Sequence, residues 1–186
     1  GQHGRALRFF ALAKETGAYT IKDGVTALGN NSMQKAQFTG VTIPKSVRSV
    51  NSFAFSNSNI ESVTFAGSPS FGTEFETGST PGQGAFNSCE SLREIKNFPN
   101  VDAIPAHLVS TAKSLETFTI PETVTSIGNS AFSNTAITSI TIPAGVKEMG
   151  NALFSTDAST VEGEEPTRTA LTVTFEKGSQ LSSIGN

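Results

Sequence analysis

The chain has one cysteine, Cys89, no tryptophan, one tyrosine and two histidines in 186 residues. A single thiol excludes an internal disulfide framework and a cysteine-based zinc site, because both need several sulfurs; it leaves the redox compartment open. Basic residues are also few. Thirteen Lys and Arg stand against 16 Asp and Glu, a formal charge of -3, and no basic block forms. Phosphate binding needs clustered Lys and Arg, so no nucleic-acid partner is expected. No apolar run approaches the roughly 18 residues of a membrane-spanning helix. The stretch from Ala6 to Ala13 is short, contains Arg8 and lacks the flanks of a secretion signal. Gly1 is not an initiator methionine, so the original start is expected to have been removed, with any export signal.

Hydrophobic residues make up only 36% of the chain, while Ser, Thr, Asn and Gly are abundant. Each inward residue must therefore be placed by a regular pattern, which points to a repetitive β-rich architecture.

That pattern is legible. Phe118, Ile120, Pro121, Val124, Ile127, Gly128, Ala131, Phe132 and Ile137 form one unit, and the same grammar restarts at Ile140. Val41, Val63, Ile95, Phe118, Ile140 and Val173 are equivalent anchors about 22 residues apart, except where insertions lie, near 67–84 and 155–168. An earlier unit shows as Tyr19, Ile21, Val25 and Leu28. A period of roughly 20–29 residues with short apolar-x-apolar strands predicts a β-rich (α/β-type) leucine-rich-repeat solenoid. About six rungs and a partial one are expected, with a narrow parallel sheet. In each Val-Thr-Ile the first and third side chains should point inward and the Thr outward. Pro44, Pro99, Pro121 and Pro143 should close strands without removing a ladder hydrogen bond. Phe55, Phe86, Phe132 and Phe154 should stack as an aromatic spine.

The phrases Ile-Thr-Ile-Pro at 140–143, Val-Thr-Ser-Ile-Gly at 124–128 and Ala-Phe-Asn-Ser-Cys-Glu-Ser-Leu at 85–92 resemble the BspA-type leucine-rich repeat, over roughly residues 19 to 186. The resemblance implies a cell-surface or secreted protein of host-associated bacteria or parasitic protists. It implies adhesion or protein interaction, with no catalytic motif, cofactor or metal. The chain departs from the pattern where Ile104-Pro-Ala-His replaces Ile-Gly, and where the strand Ile95 to Phe98 reads one residue longer. A bulge or kink near residue 97 is expected there.

The ends suggest further features. Leu7, Phe10, Ala11 and Lys14 fall at helical spacing, so residues 1–18 are expected to hold a helical cap, with the solenoid over 19–186. Leu181 to Asn186 repeats a Val-Thr-Ser-Ile-Gly segment without its Ala-Phe. The chain is therefore expected to be a fragment truncated in its last repeat, or to cover that rung by end-to-end self-association.

Individual residues carry weaker signals. Cys89 aligns with Ser58, Ala112, Thr135 and Asp157, so a packed turn suits it better than a nucleophile's role. His107 aligns with Ser130 and has no triad around it. Glu74, Glu76, Asp157, Glu162, Glu164 and Glu165 give the insertions acidic oxygens, but without the alternating ligands of a calcium loop.

The candidate ligand face is the outer row of the strands: Thr42, Ser62, Thr64, Glu94, Lys96, Thr117, Thr119, Ser139, Thr141, Thr172 and Thr174. Phe71, Phe75 and Glu164 are candidate loop contacts. Such a surface suits a host protein, matrix component or glycan, with specificity on the loops. The alternatives are a structural spacer that projects another domain, and ice binding by the threonine lattice. Glu94 and Lys96 already interrupt that lattice.

Overall fold

The computed structural model describes residues 16–72, 81–156 and 170–186, and the backbone of 5–7. Among the described residues there is no helix. Fourteen short strands follow one another: β1 (Arg5–Leu7), β2 (Ala18–Thr20), β3 (Val25–Leu28), β4 (Gly40–Ile43), β5 (Ser49–Val50), β6 (Ser62–Phe65) and β7 (Ser70–Phe71). After these come β8 (Glu94–Lys96), β9 (Ala103–Ile104), β10 (Ser126–Ile127), β11 (Ser139–Ile142), β12 (Glu148–Met149), β13 (Thr172–Phe175) and β14 (Ser183–Ile184). All pairings are parallel, each strand joining its equivalent in the next repeat. The fold is the β-rich leucine-rich-repeat solenoid that the 22-residue period predicts.

Each rung has three walls. The first is built by β2, β4, β6 and β8, and further along by β11 and β13. Alternation with a period of two drives it: in β11, Ile140 and Ile142 are buried while Ser139 and Thr141 are exposed. Register follows the predicted anchors, Tyr19 against Val41, Val41 against Val63, Val63 against Ile95, and Ile140 against Val173. The second wall holds the ladders β1-β3-β5-β7 and β9-β10-β12-β14. Leu7 therefore lies in a strand against Leu28, not in a helical cap, because the edge of β3 offers it a ladder of backbone bonds. Phe10, Ala11 and Lys14 lie outside the described residues.

The third wall is a stack of turns. Within one turn, the N–H groups of Ala54, Ser56 and Ser58 close on the carbonyls of Asn51, Phe53 and Phe55. The alternate N–H groups, of Phe53, Phe55 and Asn57, donate to Gln83, Ala85 and Asn87 of the next rung. The same scheme recurs from Asn31, Met33 and Lys35 through to Ser130, Phe132 and Asn134, always with the donor on the earlier rung. Left-handed residues mark both ends of these segments, such as Phe53 (φ 56°) and Asn57 (φ 56°), or His107 (φ 55°) and Thr111 (φ 63°).

The core runs between the walls as one cluster of buried side chains. Phe132 and Ile142 are each only 1% exposed, and burying a side chain of that size contributes about 1.5–3 kcal/mol. The aromatic spine is two stacked pairs, not one column. Phe55 lies on Phe86 at 5.4 Å, and Phe132 on Phe154 at 5.8 Å. Val109 occupies the Phe slot between them, so the rings detour: Phe86 meets Phe65 edge-on, Phe65 meets Phe98, Phe98 meets Phe118, and Phe118 meets Phe132.

Two expectations need correction here. Phe118 is half-buried and Ile120 buried, as an inward pair should be, but Thr117–Ile120 is not a strand. The prolines supply a physical reason. In the proline slot of two other rungs, the N–H groups of Ala66 and Glu176 donate to Ile43 and Ile142 of the preceding rung. Proline there does remove a ladder bond, contrary to the sequence argument. One loss is tolerated at Pro44, whose rung remains paired with β2. Thr117–Ile120 has Pro121 on its own rung and Pro143 on the next. Among the described residues, no backbone hydrogen bond joins it to β8 or β11.

Candidate binding clefts at the broken rung

The rung that starts at β8 departs from its neighbours at two positions, and a cleft lies beside each. Asn97 stands where Ile43, Phe65, Ile120 and Ile142 point into the core. A buried, unpaired amide is costly. Asn97 instead takes a left-handed conformation (φ 58°) and is exposed; Asn tolerates this region better than branched residues do. Phe98 turns inward in its place, stacked on Phe71 at 5.5 Å and edge-on to Phe65 at 5.9 Å and Phe118 at 5.1 Å. The chain therefore departs from the repeat at Asn97 itself, without the extra residue of a bulge. Glu94 to Ala103 has the same spacing as Gly40 to Ser49, and β8 is three residues long where β4 has four.

Between β8 and Thr117–Pro121 the first wall opens into a cleft of about 460 Å³. Arg93, Glu94, Asn97, Asn100, Thr117 and Thr119 supply its polar groups, and Ile95, Phe98, Phe118 and Pro121 its apolar ones. Glu94 pairs with Lys96 at 3.8 Å on the exposed lip. A pair so exposed contributes little stability.

The second cleft has a parallel origin. One residue after each second-wall strand, an N–H donates to the preceding rung: Asn51 to Leu28, Gly72 to Val50, Gly128 to Ile104, Gly150 to Ile127 and Gly185 to Met149. Pro105 occupies that slot after β9 and has no N–H to give to Phe71. β7 and β9 do not pair, and a second cleft of about 460 Å³ lies between them. Pro69, Pro81, Pro99, Pro105, Phe71 and Val101 make it largely apolar, with Asp102 beside them; Asn100 lines both clefts.

The predicted ligand face is partly assembled. Thr42 stands beside Thr64, and Thr64 beside Lys96; Ser62 stands beside Glu94; Ser139 and Thr141 stand beside Thr172 and Thr174. Thr42, Ser62 and Thr64 are half-buried, while Glu94, Lys96, Thr117, Thr119, Ser139, Thr141, Thr172 and Thr174 are exposed. The first cleft divides this face, so the hydroxyls form two patches. The regular lattice required for ice binding is interrupted there.

Phe71 is not at an insertion tip. It is half-buried in β7, paired with Val50, its ring on Phe98. Phe75 and Glu164 lie outside the described residues, as do Glu74, Glu76, Asp157, Glu162 and Glu165. The sequence reading missed Arg93, Asn97, Phe98 and Asn100. The available signal was an Asn in a slot that is apolar in the neighbouring rungs.

Cys89 is buried, with its Sγ 3.4 Å from Ser58 Oγ and donating to the Phe55 carbonyl at 3.1 Å. Burial pushes its thiol up to about 11, so the nucleophilic thiolate is disfavoured. His107 donates its backbone N–H to Asn129, as Ser130 donates to Asn151, and both sit at φ 55°. It is a turn residue of the third wall. On the exposed surface, a hydrogen bond with Glu176, then desolvation and the like charge, raises the Glu122 carboxyl above its ordinary range. Glu176 also accepts the Ala144 N–H at 3.0 Å. Among the described residues no group of three or more His, Cys, Asp or Glu is placed to hold a metal ion, and no helix is long and apolar enough to cross a membrane.

Several solved structures resemble this chain. A leucine rich cell surface protein from Faecalibacterium prausnitzii A2-165 matches with a TM-score of 0.52 and 26% identity, over 74% of this chain and 44% of its own. The pneumococcal vaccine antigen PcpA matches with a TM-score of 0.48 and 16% identity, over 95% of this chain and 44% of its own. A leucine-rich repeat protein from Eubacterium ventriosum ATCC 27560 gives a TM-score of 0.37 at 15% identity, over 91% of this chain and 67% of its own. The chain thus spans less than half the length of the first two. No curated protein matches it. Six copies of one repeat pattern match residues 8–79, 26–162 and 79–185. With those copies covering nearly the whole sequence, the chain belongs to the BspA type leucine rich repeat family.

Proposed function

We propose that this chain is the ligand-holding part of a cell-surface or secreted protein, and that it binds a host protein, matrix component or glycan without transforming it. The observation that supports this reading is the first cleft. There a regular first wall stops, and Arg93, Glu94, Asn97, Asn100, Thr117 and Thr119 surround the half-buried rings of Phe98 and Phe118. Pockets that hold ligands combine an apolar floor with a few convergent polar groups. The half-buried Thr42, Ser62 and Thr64 on one side, and the exposed Ser139, Thr141, Thr172 and Thr174 on the other, extend the contact area. The surface setting that the family implies, and the similarity to a Faecalibacterium cell surface protein, agree with an extracellular role.

The test is an array of matrix proteins and glycans probed with the full chain. Capture of at least one of them is expected, and the double variant Arg93→Ala, Asn100→Ala should weaken it at least tenfold. Both side chains are on the surface, so the variant should melt like the parent. No capture, or capture indifferent to the double variant, defeats the reading.

A further inference from the structure

We propose that the first cleft takes an extended peptide from a partner protein, held backbone to backbone along the free edge of β8 as an added strand. This rests on the reading of that cleft as a binding site and names its ligand class.

Backbone geometry carries the argument. In a parallel ladder the N–H and C=O of one residue point to the same side, and the side alternates along the strand. Glu94 donates its N–H to Glu61 on the β6 side, at 3.2 Å. Glu94 and Lys96 therefore face β6, in register with Ser62 and Thr64. The N–H and C=O of Ile95 face the opposite way, across the cleft. On the other lip, Thr117–Ile120 forms no backbone hydrogen bond to β8, and Pro121 has no N–H to offer. The Ile95 backbone groups are therefore unmatched along this edge. Unmatched donors and acceptors on a strand edge favour a partner that supplies both at strand spacing, as a peptide backbone does. The hydroxyls of a glycan would suit the polar side chains equally well, but have no such repeat.

The lining also sets a preference. Alternate side chains of an added strand would face Phe98 and Phe118 on one side and solvent on the other. Arg93, in no ion pair among the described residues, stands at the solvent side. The favoured peptide is short, since β8 is three residues long. It alternates apolar with polar residues and carries a carboxylate within reach of Arg93.

The test selects a phage-displayed library of linear peptides on the full chain. The leading peptide is then synthesised in three forms: unmodified, and N-methylated on either alternate set of residues. The unmodified peptide should bind, shift the amide resonance of Ile95 and slow its hydrogen exchange at least tenfold. N-methylation of the set that faces β8 should weaken binding at least tenfold, and methylation of the other set should not. Arg93→Ala should weaken a carboxylate-bearing peptide several-fold. Equal effects of both methylated sets, no response at Ile95, or self-association through β8 in place of peptide binding would overturn the proposal. Capture on the matrix and glycan array by a chain that fails these tests overturns the peptide alone. An array without capture defeats the broader reading, whatever the peptides do.

Discussion

The side-chain oxygen of Asn129 accepts the backbone N–H of Asn151 at 2.8 Å, and the side-chain oxygen of Asn151 accepts that of Asn186 at 3.0 Å. The glycine before each recipient makes this contact possible. A Cβ on Gly150 would lie 2.6 Å from the backbone nitrogen of Asn129, too close for any side chain. Gly-Asn after the second-wall strand is thus one device: the glycine lets two rungs approach, and the asparagine of the earlier rung ties the later one to it.

Asn129→Ala should therefore cost about 1 kcal/mol, the usual loss for one such hydrogen bond. Gly150→Ala should cost about 1–3 kcal/mol, because backbone must shift to admit the methyl. Urea denaturation of both variants checks the order. A Gly150→Ala variant as stable as Asn129→Ala would mean that the rungs relax freely at this contact.

Phe98→Ala removes a half-buried ring held by Phe65, Phe71 and Phe118, and should destabilise the chain by about 2–3 kcal/mol. That is less than the truncation of a fully buried Phe, which costs about 3–5 kcal/mol. Phe132→Ala, at 1% exposure, should reach the upper range. Thermal melts of the two separate these cases. Equal losses would show that Phe98 is as well enclosed as Phe132.

Pro121→Ala restores an N–H where Ala66 and Glu176 have one. The new amide should donate to Asn97 and exchange slowly in hydrogen–deuterium exchange. The first cleft should narrow, and any ligand held there should bind more weakly. Net stability should change little, since one hydrogen bond of about 1 kcal/mol is offset by the greater freedom of the unfolded chain. Fast exchange at that amide would mean that Asn97, not Pro121, keeps the wall open.

Much of this was legible in the sequence. Val-Thr-Ile and its relatives fixed the register: alternation requires Val41 and Ile43 to share the buried face, and the 22-residue recurrence of the triplet selects which residues pair. The Ile104-Pro-Ala-His departure also identified the deviant rung. What composition and spacing did not reveal was which neighbour each N–H serves. The donors at Gly72 and Ala66 point to the preceding rung, so the consequence of Pro105 and Pro121 emerges only once the repeats are stacked. Leu7 was misread for a related reason: its helical spacing was weaker than the pairing offered by β3.

Cys89 supplies a pH test. Its thiol is raised from 9.0 to about 11, chiefly by burial. A raised folded value contributes stability that is fully present below pH 9 and is lost as pH rises through 11. Two units amount to about 3 kcal/mol. The parent should lose more stability than Cys89→Ala between pH 9 and 11, and its native thiol should resist a disulfide reagent at pH 8 until denatured. Rapid labelling of the folded chain would refute this.

The third wall also has a mechanical meaning. At the junction leading into the β8 rung the second wall is unpaired, and at the next junction the first wall is unpaired, yet turn-to-turn bonds cross both. Thr117–Ile120 is unpaired with β11 as well, so a pull along the stack meets its weakest resistance at three consecutive junctions, with one continuous backbone seam behind them. The two rungs from Glu94 to Ile137 are thus the part of the stack best able to tilt under load while the rungs on either side stay joined through the third wall.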